Sequence, residues 1–305
     1  MSRSAGVTRS ALIAGELNSL NTPDEAIFYT SGRASNEAAF LYQLFVRQFG
    51  TNNLPDCSNM CHESSGSALT ETIGVGKGTV TLEDFDPGPG DFRDRPESGY
   101  QSPADVVCSA KGEKKRLRDR SYQSAAGSRN DPFQASPGDL EVGWGRGTAL
   151  ADLFLQVRIN GDVALLLGMI KELFAEEEKR PGQVLDHQFI EQQTCGLTEF
   201  KESLAKVHWG DLIEQCGVPR TKIEDAVRIF VRSERTIFCW AMGLTQHRNA
   251  VANIQEIVNL MLLRGQIGKP GAGLCPVRGH SNVQGDRTMG IWERPTDAFL
   301  DQPSR

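Results

Sequence analysis

The densest chemistry in this chain lies in eight residues, Asp56-Cys57-Ser58-Asn59-Met60-Cys61-His62-Glu63. Two thiols, an imidazole and two carboxylates in so short a span suit metal ligation or nucleophilic chemistry, because thiolate is both a soft ligand and a strong nucleophile. The pattern predicts a helix starting at or just after Cys61. There the positive end of the helix dipole, with His62 alongside, would favour the ionised thiol. The competing reading is a pair of buried structural cysteines. A structural zinc site needs a second Cys or His pair at similar spacing, and Cys195, Cys216, Cys239 and Cys275 are too dispersed to offer one.

Two later stretches carry binding chemistry. Gly243-Leu244-Thr245-Gln246-His247 follows the apolar run TIFCWAM, and polar groups at the C-terminal end of a parallel strand are where α/β folds bind ligands. Capping of a helix that begins near Asn249 is the plainer alternative. Arg278, in Pro276-Val277-Arg278-Gly279-His280 and followed by Ser281, Asn282 and Gln284, presents a guanidinium suited to a carboxylate or phosphate. The alternative is a solvated loop arginine. GVGKGT at 74–79 meets neither phosphate-loop spacing and reads as a turn.

The elements that must position these groups follow from periodicity. AIFYTS is strand-like, and 35–49 has helical spacing of Ala38, Phe40, Leu41, Leu44, Phe45 and Phe49, ended at Gly50. HESSGSALTETIG reads as a second, shorter helix closed by Gly74. From 147 onward helices dominate, with QVRI and TIFCWAM as short strands, which implies an α/β fold with a parallel sheet. The tail from Gly271 is glycine-rich and polar, suited to lining a ligand. Residues 87–137 hold six of the fourteen prolines and only three of Ile, Leu, Val and Met, too few for a core.

At 305 residues the chain has length for two domains, and its net charge of -6 argues against nucleic-acid binding. No apolar stretch reaches membrane-spanning length and no secretory h-region is present, so no membrane partner is expected. Seven scattered cysteines do not form a secreted disulfide framework, and the expected location is cytoplasmic.

Together, FYTSGRASNEAAFLYQLFVRQFGTNN, DCSNMCHESSG, RINGDVALLLG, WAMGLTQH, IVNLMLLRGQIGKPGAGL and CPVRGHSNVQGDRTMG resemble, in order, the molybdopterin oxidoreductases with two molybdopterin guanine dinucleotides, specifically the formate dehydrogenase-like alpha subunits. The resemblance implies parallel-sheet, Rossmann-like α/β domains: 1–56 as part of one domain, 57–275 as a second cofactor-binding domain interrupted by an irregular 87–146, and 276–305 returning to the first. It implies two-electron oxidation of formate or a similar small molecule, with an electron-transfer partner of unknown identity. Cys61 stands at the molybdenum ligand, His62 at the proton acceptor and Arg278 at the carboxylate-binding arginine. Gly161, Asp162, Gly243, Thr245, Gln246, Gly279, His280, Asn282 and Gln284 fall in the stretches that line the dinucleotides. His280 departs from the glutamine that formate dehydrogenases carry there.

The resemblance also implies that an iron-sulfur motif belongs before Met1 and a further domain after Arg305, so that this chain is an internal piece, inactive alone. A cofactor-free, noncatalytic remnant or interaction fragment is the alternative. With permitted codons read one base later, FRDRPESGYQSPADV becomes FVIGQNPGTNHPRM, which resembles the family there. Residues from about 87 to 137 are therefore expected to be out of frame and irregular.

Overall fold

The computed structural model describes residues 3–85, 105–110, 118–123 and 153–294, with side chains described for 8–85 and 153–294. The chain divides into two compact units, Met1–Cys61 with Arg278–Arg305, and His62–Val277. Among the described residues no helix is long and apolar enough to cross a membrane.

In the first unit, α1 spans Arg3–Asn18, α2 spans Asn36–Phe49 and α11 spans Val283–Thr288. Local chemistry sets the limits of α2. Ser35 accepts the Ala38 amide at its N-terminus, and Gly50 at φ 108° closes its C-terminus in the left-handed region that glycine enters without strain. Phe28, Ala39, Val46, Leu54 and Ile291 form the core, with Phe49, Phe45 and Tyr42 edge-on to Phe28. AIFYTS is extended but is no strand. Phe28 donates its amide to Asn53, and no ladder forms along the rest of the segment.

The second unit is mainly helical. Its elements are α3 (Glu63–Ile73), β1 (Asp105–Ala110), β2 (Arg118–Gln123), α4 (Asp162–Lys179), α5 (His187–Gln193), α6 (Leu197–Ala205), α7 (Trp209–Cys216), α8 (Arg220–Arg232), β3 (Thr236–Trp240), α9 (Met242–Thr245), α10 (Ala250–Leu263) and β4 (Gly273–Pro276). Gly74 ends α3 at φ 76°, as its spacing predicts. The core gathers Leu165, Leu166, Ile170 and Leu173 of α4, Ile223 and Val227 of α8, Ile254, Ile257, Leu260 and Met261 of α10, and Trp240 and Leu274 of the strands. Each such side chain contributes about 1.5–3 kcal/mol on burial.

The expected Rossmann-like parallel sheet is corrected in part. The strand order is β2-β1-β3-β4; β3 and β4 are parallel, whereas β1 runs antiparallel to both β2 and β3. The one parallel pair among the described residues has the crossover that parallel pairing demands, through α10. QVRI contributes an isolated bridge at Gln156 rather than a strand. Strands β1 and β2 lie inside the stretch expected to be irregular, so that expectation is corrected for 105–110 and 118–123. Val106 and Val107 supply β-branched residues suited to pairing. The rest of 87–137, on which the out-of-frame reading falls, lies outside the described residues.

Candidate functional site

In the first unit a short 3-10 turn, Cys57–Met60, precedes Cys61. Asp56 caps it: its carboxylate accepts the Ser58 amide (2.9 Å) and hydroxyl (2.8 Å), and Arg287 of α11 pairs with the same carboxylate. The turn packs tightly. A Cβ on Gly32 would lie 2.6 Å from Val283 and 2.9 Å from the Cys57 sulfur, so only glycine fits there. Asn282 donates its backbone amide to Gly32 and its side-chain amide to Ala34 and Asn36, fastening the 280s loop to the 32–36 loop. Arg33 donates to the Gly279 carbonyl (3.2 Å).

Cys61 is buried in this setting. Burial pushes its thiol up, the positive charge of Arg278 draws it down, and Asp56 pushes it up again; the net direction is upward. This reverses the expectation of an easily ionised thiol. The helix starts just after Cys61, as expected, with His62 at its N-cap position and Glu63 as its first residue, but the ionising influence that opposes burial comes from Arg278 and not from the neighbouring histidine. Arg278 and Gly279 are exposed, His280 is half-buried and Gln284 is exposed.

Asp286 was missed by sequence reasoning. It is 1% exposed on α11, and neither carboxylate oxygen has a hydrogen-bond partner. Burial and the negative charge of Asp56 push it up to about 6. Its spacing of three from buried Val283 was the available signal for an inward-facing carboxylate.

In the second unit His62 is 1% exposed at the start of α3. Its Nε2 lies 2.8 Å from the Val277 carbonyl oxygen, and its Nδ1 lies 2.9 Å from the Ser65 hydroxyl. A carbonyl can only accept, so Nε2 carries the proton. Trp240 Nε1 donates to the same Ser65 oxygen (2.9 Å), so one hydroxyl serves both rings. Val277 returns its amide to the Trp240 carbonyl (2.7 Å), closing a network across α3, β3 and β4. Both ring nitrogens are therefore engaged within the protein. Ser65 and Trp240 lay in quoted stretches but carried no assigned role, because a serine and a tryptophan that meet 175 residues apart leave no local pattern.

Ser64 donates to the Thr245 carbonyl (3.5 Å), bringing α3 to the turn that holds half-buried Gly243 and Thr245 and exposed Gln246. Gly161 and Asp162 are buried at the start of α4, where Gly161 lies against Gln215 and Cys216 at the end of α7. A cavity of about 230 Å³ lined by Glu172, Glu176, Lys179, Arg220, Glu224 and Arg228 includes none of the candidate residues. Its charges pair with one another, Arg220 bridging Glu172 and Glu224.

Among the described residues no group of three or more His, Cys, Asp or Glu is arranged to hold a metal ion. What the first unit offers is two buried thiols, Cys57 and Cys61, of which Cys61 feels the guanidinium charge of Arg278. That arrangement suits a metal whose other ligands arrive with an organic cofactor.

No family model matches the chain. It is similar to an uncharacterised oxidoreductase of Mycobacterium tuberculosis, 47% identical over 293 residues, covering 95% of this chain and 37% of that protein. The F420-dependent formate dehydrogenase 2 subunit alpha of Methanococcus maripaludis is 28% identical over 283 residues, covering 92% of this chain and 38% of that one. The chain thus spans well under half the length of these curated relatives. Among solved structures, the acetylene hydratase of Pelobacter acetylenicus aligns with a TM-score of 0.35 and 25% identity, over 43% of this chain and 17% of its own.

Proposed function

We propose that this chain is part of a molybdopterin-dependent oxidoreductase resembling the formate dehydrogenase alpha subunits, with Cys61 as the protein ligand to molybdenum. The observation that carries the reading is the buried Cys61 thiol, which burial holds in its neutral form while the positive charge of Arg278 acts in the opposite direction. Similarity to proteins named oxidoreductase along 95% of the chain, and to a formate dehydrogenase alpha subunit at 28% identity, supports it.

The residues present fit such a cofactor. A thiol that burial keeps neutral loses its proton outright on binding a metal cation. Asp286 offers two buried acceptor oxygens with no protein donor, a fit for the paired N–H groups of an aminopyrimidine edge such as pterin or guanine carries. Gly161, Asp162, Gly243, Thr245, Gln246, Gly279, His280, Asn282 and Gln284 belong to this reading as contributors to the dinucleotide sites, as do the domain limits 1–56, 57–275 and 276–305. Asn282 acts by fixing the loop that carries Gly279 and His280, since its amide protons are already given to Ala34 and Asn36.

When bound, the cofactor supplies two-electron redox chemistry at molybdenum. Arg278, exposed and cationic, binds a small carboxylate such as formate and orients it by charge-assisted hydrogen bonds. His62 holds a proton at Nε2 against the Val277 carbonyl, so it positions the Val277 backbone immediately before Arg278. Its Nδ1, in contact with the Ser65 hydroxyl, is the nitrogen left for the proton-accepting role.

The test is molybdenum and pterin content of the full chain purified from molybdate-replete cells. The expected result is that both co-purify, that Cys61→Ser holds less molybdenum per chain than the parent, and that Arg278→Ala retains it while losing formate-dependent dye reduction wherever the parent shows it. Wild-type chain free of molybdenum and pterin, or equal metal in folded Cys61→Ser, would overturn the assignment.

A further inference from the structure

We propose that Cys239 and Cys275 form a redox-active dithiol, a site at which a peroxide-class oxidant converts the two thiols into one disulfide between β3 and β4. The inference stands on the second unit alone and does not depend on the molybdenum reading.

The two residues are direct partners in the parallel ladder, Cys239 opposite Cys275. Paired residues on neighbouring strands project to the same face with backbones about 4.7–4.9 Å apart, inside the roughly 4.4–6.8 Å Cα range that disulfides span. Neither is in a disulfide; Cys239 is buried and Cys275 half-buried. The two thiols face one another closely enough to interact: hydrogen bonding with Cys239 favours the Cys275 thiolate, against burial, which opposes it. Exposure and ionisation therefore fall on the same residue, which makes Cys275 the attacking sulfur and Cys239 the resolving one.

The chemistry balances with hydrogen peroxide as oxidant. The Cys275 sulfur attacks one peroxide oxygen; an S–O bond forms, the O–O bond breaks, and the departing hydroxide takes up a proton as water. The Cys239 sulfur then attacks the sulfenic sulfur; an S–S bond forms, the S–O bond breaks, and a second water leaves with the Cys239 proton. Two thiols lose two electrons in total, and one peroxide gains them. Because Cβ atoms one parallel-strand spacing apart exceed the roughly 3.8 Å of a relaxed disulfide, closure must draw the strands together, and a bond formed under that demand is readily reduced. The pair lies one residue from Trp240 and two from Val277, which hold His62 and Ser65, so closure tightens the strand ends that carry that network.

The experiment uses the full native chain treated with a few equivalents of hydrogen peroxide, alkylated, digested with trypsin and analysed without reduction. The sequence isolates each thiol: TIFCWAMGLTQHR (236–248) contains only Cys239, and GQIGKPGAGLCPVR (265–278) only Cys275. The expected product is the two peptides joined with loss of two hydrogens, separated again by dithiothreitol, and formed while fully buried Cys216 remains a free thiol. In Cys239→Ser the expected product is a dimedone-trapped sulfenic acid at Cys275. Recovery of both wild-type peptides singly alkylated from peroxide-treated native chain, or Cys275 joined to a different cysteine, would overturn the proposal whether or not the variant folds.

Discussion

His62 in the second unit and Asp286 in the first are equally buried, 1% exposed each, yet the ring nitrogens of one are both engaged while the carboxylate oxygens of the other have no partner. Buried polar groups in native proteins are nearly always hydrogen-bonded, because a stranded one forfeits its hydration without replacement. The difference separates scaffold from binding surface. The His62, Ser65, Trp240 and Val277 network is complete in itself and fixes three elements. Asp286 is complete only when something else donates to it. Asp56, also 1% exposed, shows that the first unit satisfies a carboxylate when its role is structural, through Ser58 and Arg287.

The comparison is most sharply broken at Ser65. Ser65→Ala would remove the partner of both the Trp240 indole N–H and His62 Nδ1, and at about 1–3 kcal/mol for each unsatisfied group it should destabilise the chain by about 2–6 kcal/mol in urea unfolding. A loss below about 0.5 kcal/mol would mean that the network is not holding these elements.

Asp286→Asn should act in the opposite direction. The folded-state pKa of Asp286, about 6, lies above its ordinary value, so its favourable contribution is present at low pH and is lost as pH rises through about 6. Asparagine mimics the protonated form. The variant should therefore gain about 2 kcal/mol at pH 7 and nothing at pH 3.5, measured as unfolding free energy across pH. A loss at pH 7 in the cofactor-free chain would show that the carboxylate already has a partner.

Glu177 sharpens the same contrast with a carboxylate that is fully supplied. Burial pushes it up, yet donation from His187 and from the amides of Gly182, Leu185 and Val184 brings it down to about 2. Its stabilisation is present at neutral pH and is lost as pH falls from about 4.5 towards 2. Glu177→Gln should cost about 1–2 kcal/mol at pH 7, after allowance for solvent screening, and little at pH 2, followed by thermal unfolding at the two pH values. The smallest effect is expected at Leu41 on α2, which is 65% exposed although its helix packs through Ala39 and Val46. Leu41→Ser should stay within about 0.5 kcal/mol of the parent.

How much of this was legible in sequence depended on how local each determinant is. The limits of α2 and α3 were readable because Ser35, Gly50 and Gly74 act within a turn of their own helix. The strand at 236–240 and the helix at 250–263 were readable from apolar periodicity. Sheet direction was not, because the antiparallel pairing of Asp105–Ala110 with β3 joins residues more than a hundred positions apart. AIFYTS failed as a strand for a related reason: strand propensity does not supply a partner. At the site, Cys61 and Arg278 were chosen by residue type and resemblance. The direction of the Cys61 ionisation bias and the engagement of both His62 ring nitrogens depend on burial and on Ser65, Trp240 and Val277, which no spacing rule connects.

Whether Cys61 is the protein ligand to molybdenum is decided by X-ray absorption at the molybdenum edge on the loaded full chain and on the metal that its Cys61→Ser variant retains, each supplied with the same cofactor. One fewer sulfur neighbour around the metal is expected in that variant and no change in Cys57→Ser. An identical sulfur shell in Cys61→Ser, or the loss appearing in Cys57→Ser instead, would contradict the assignment.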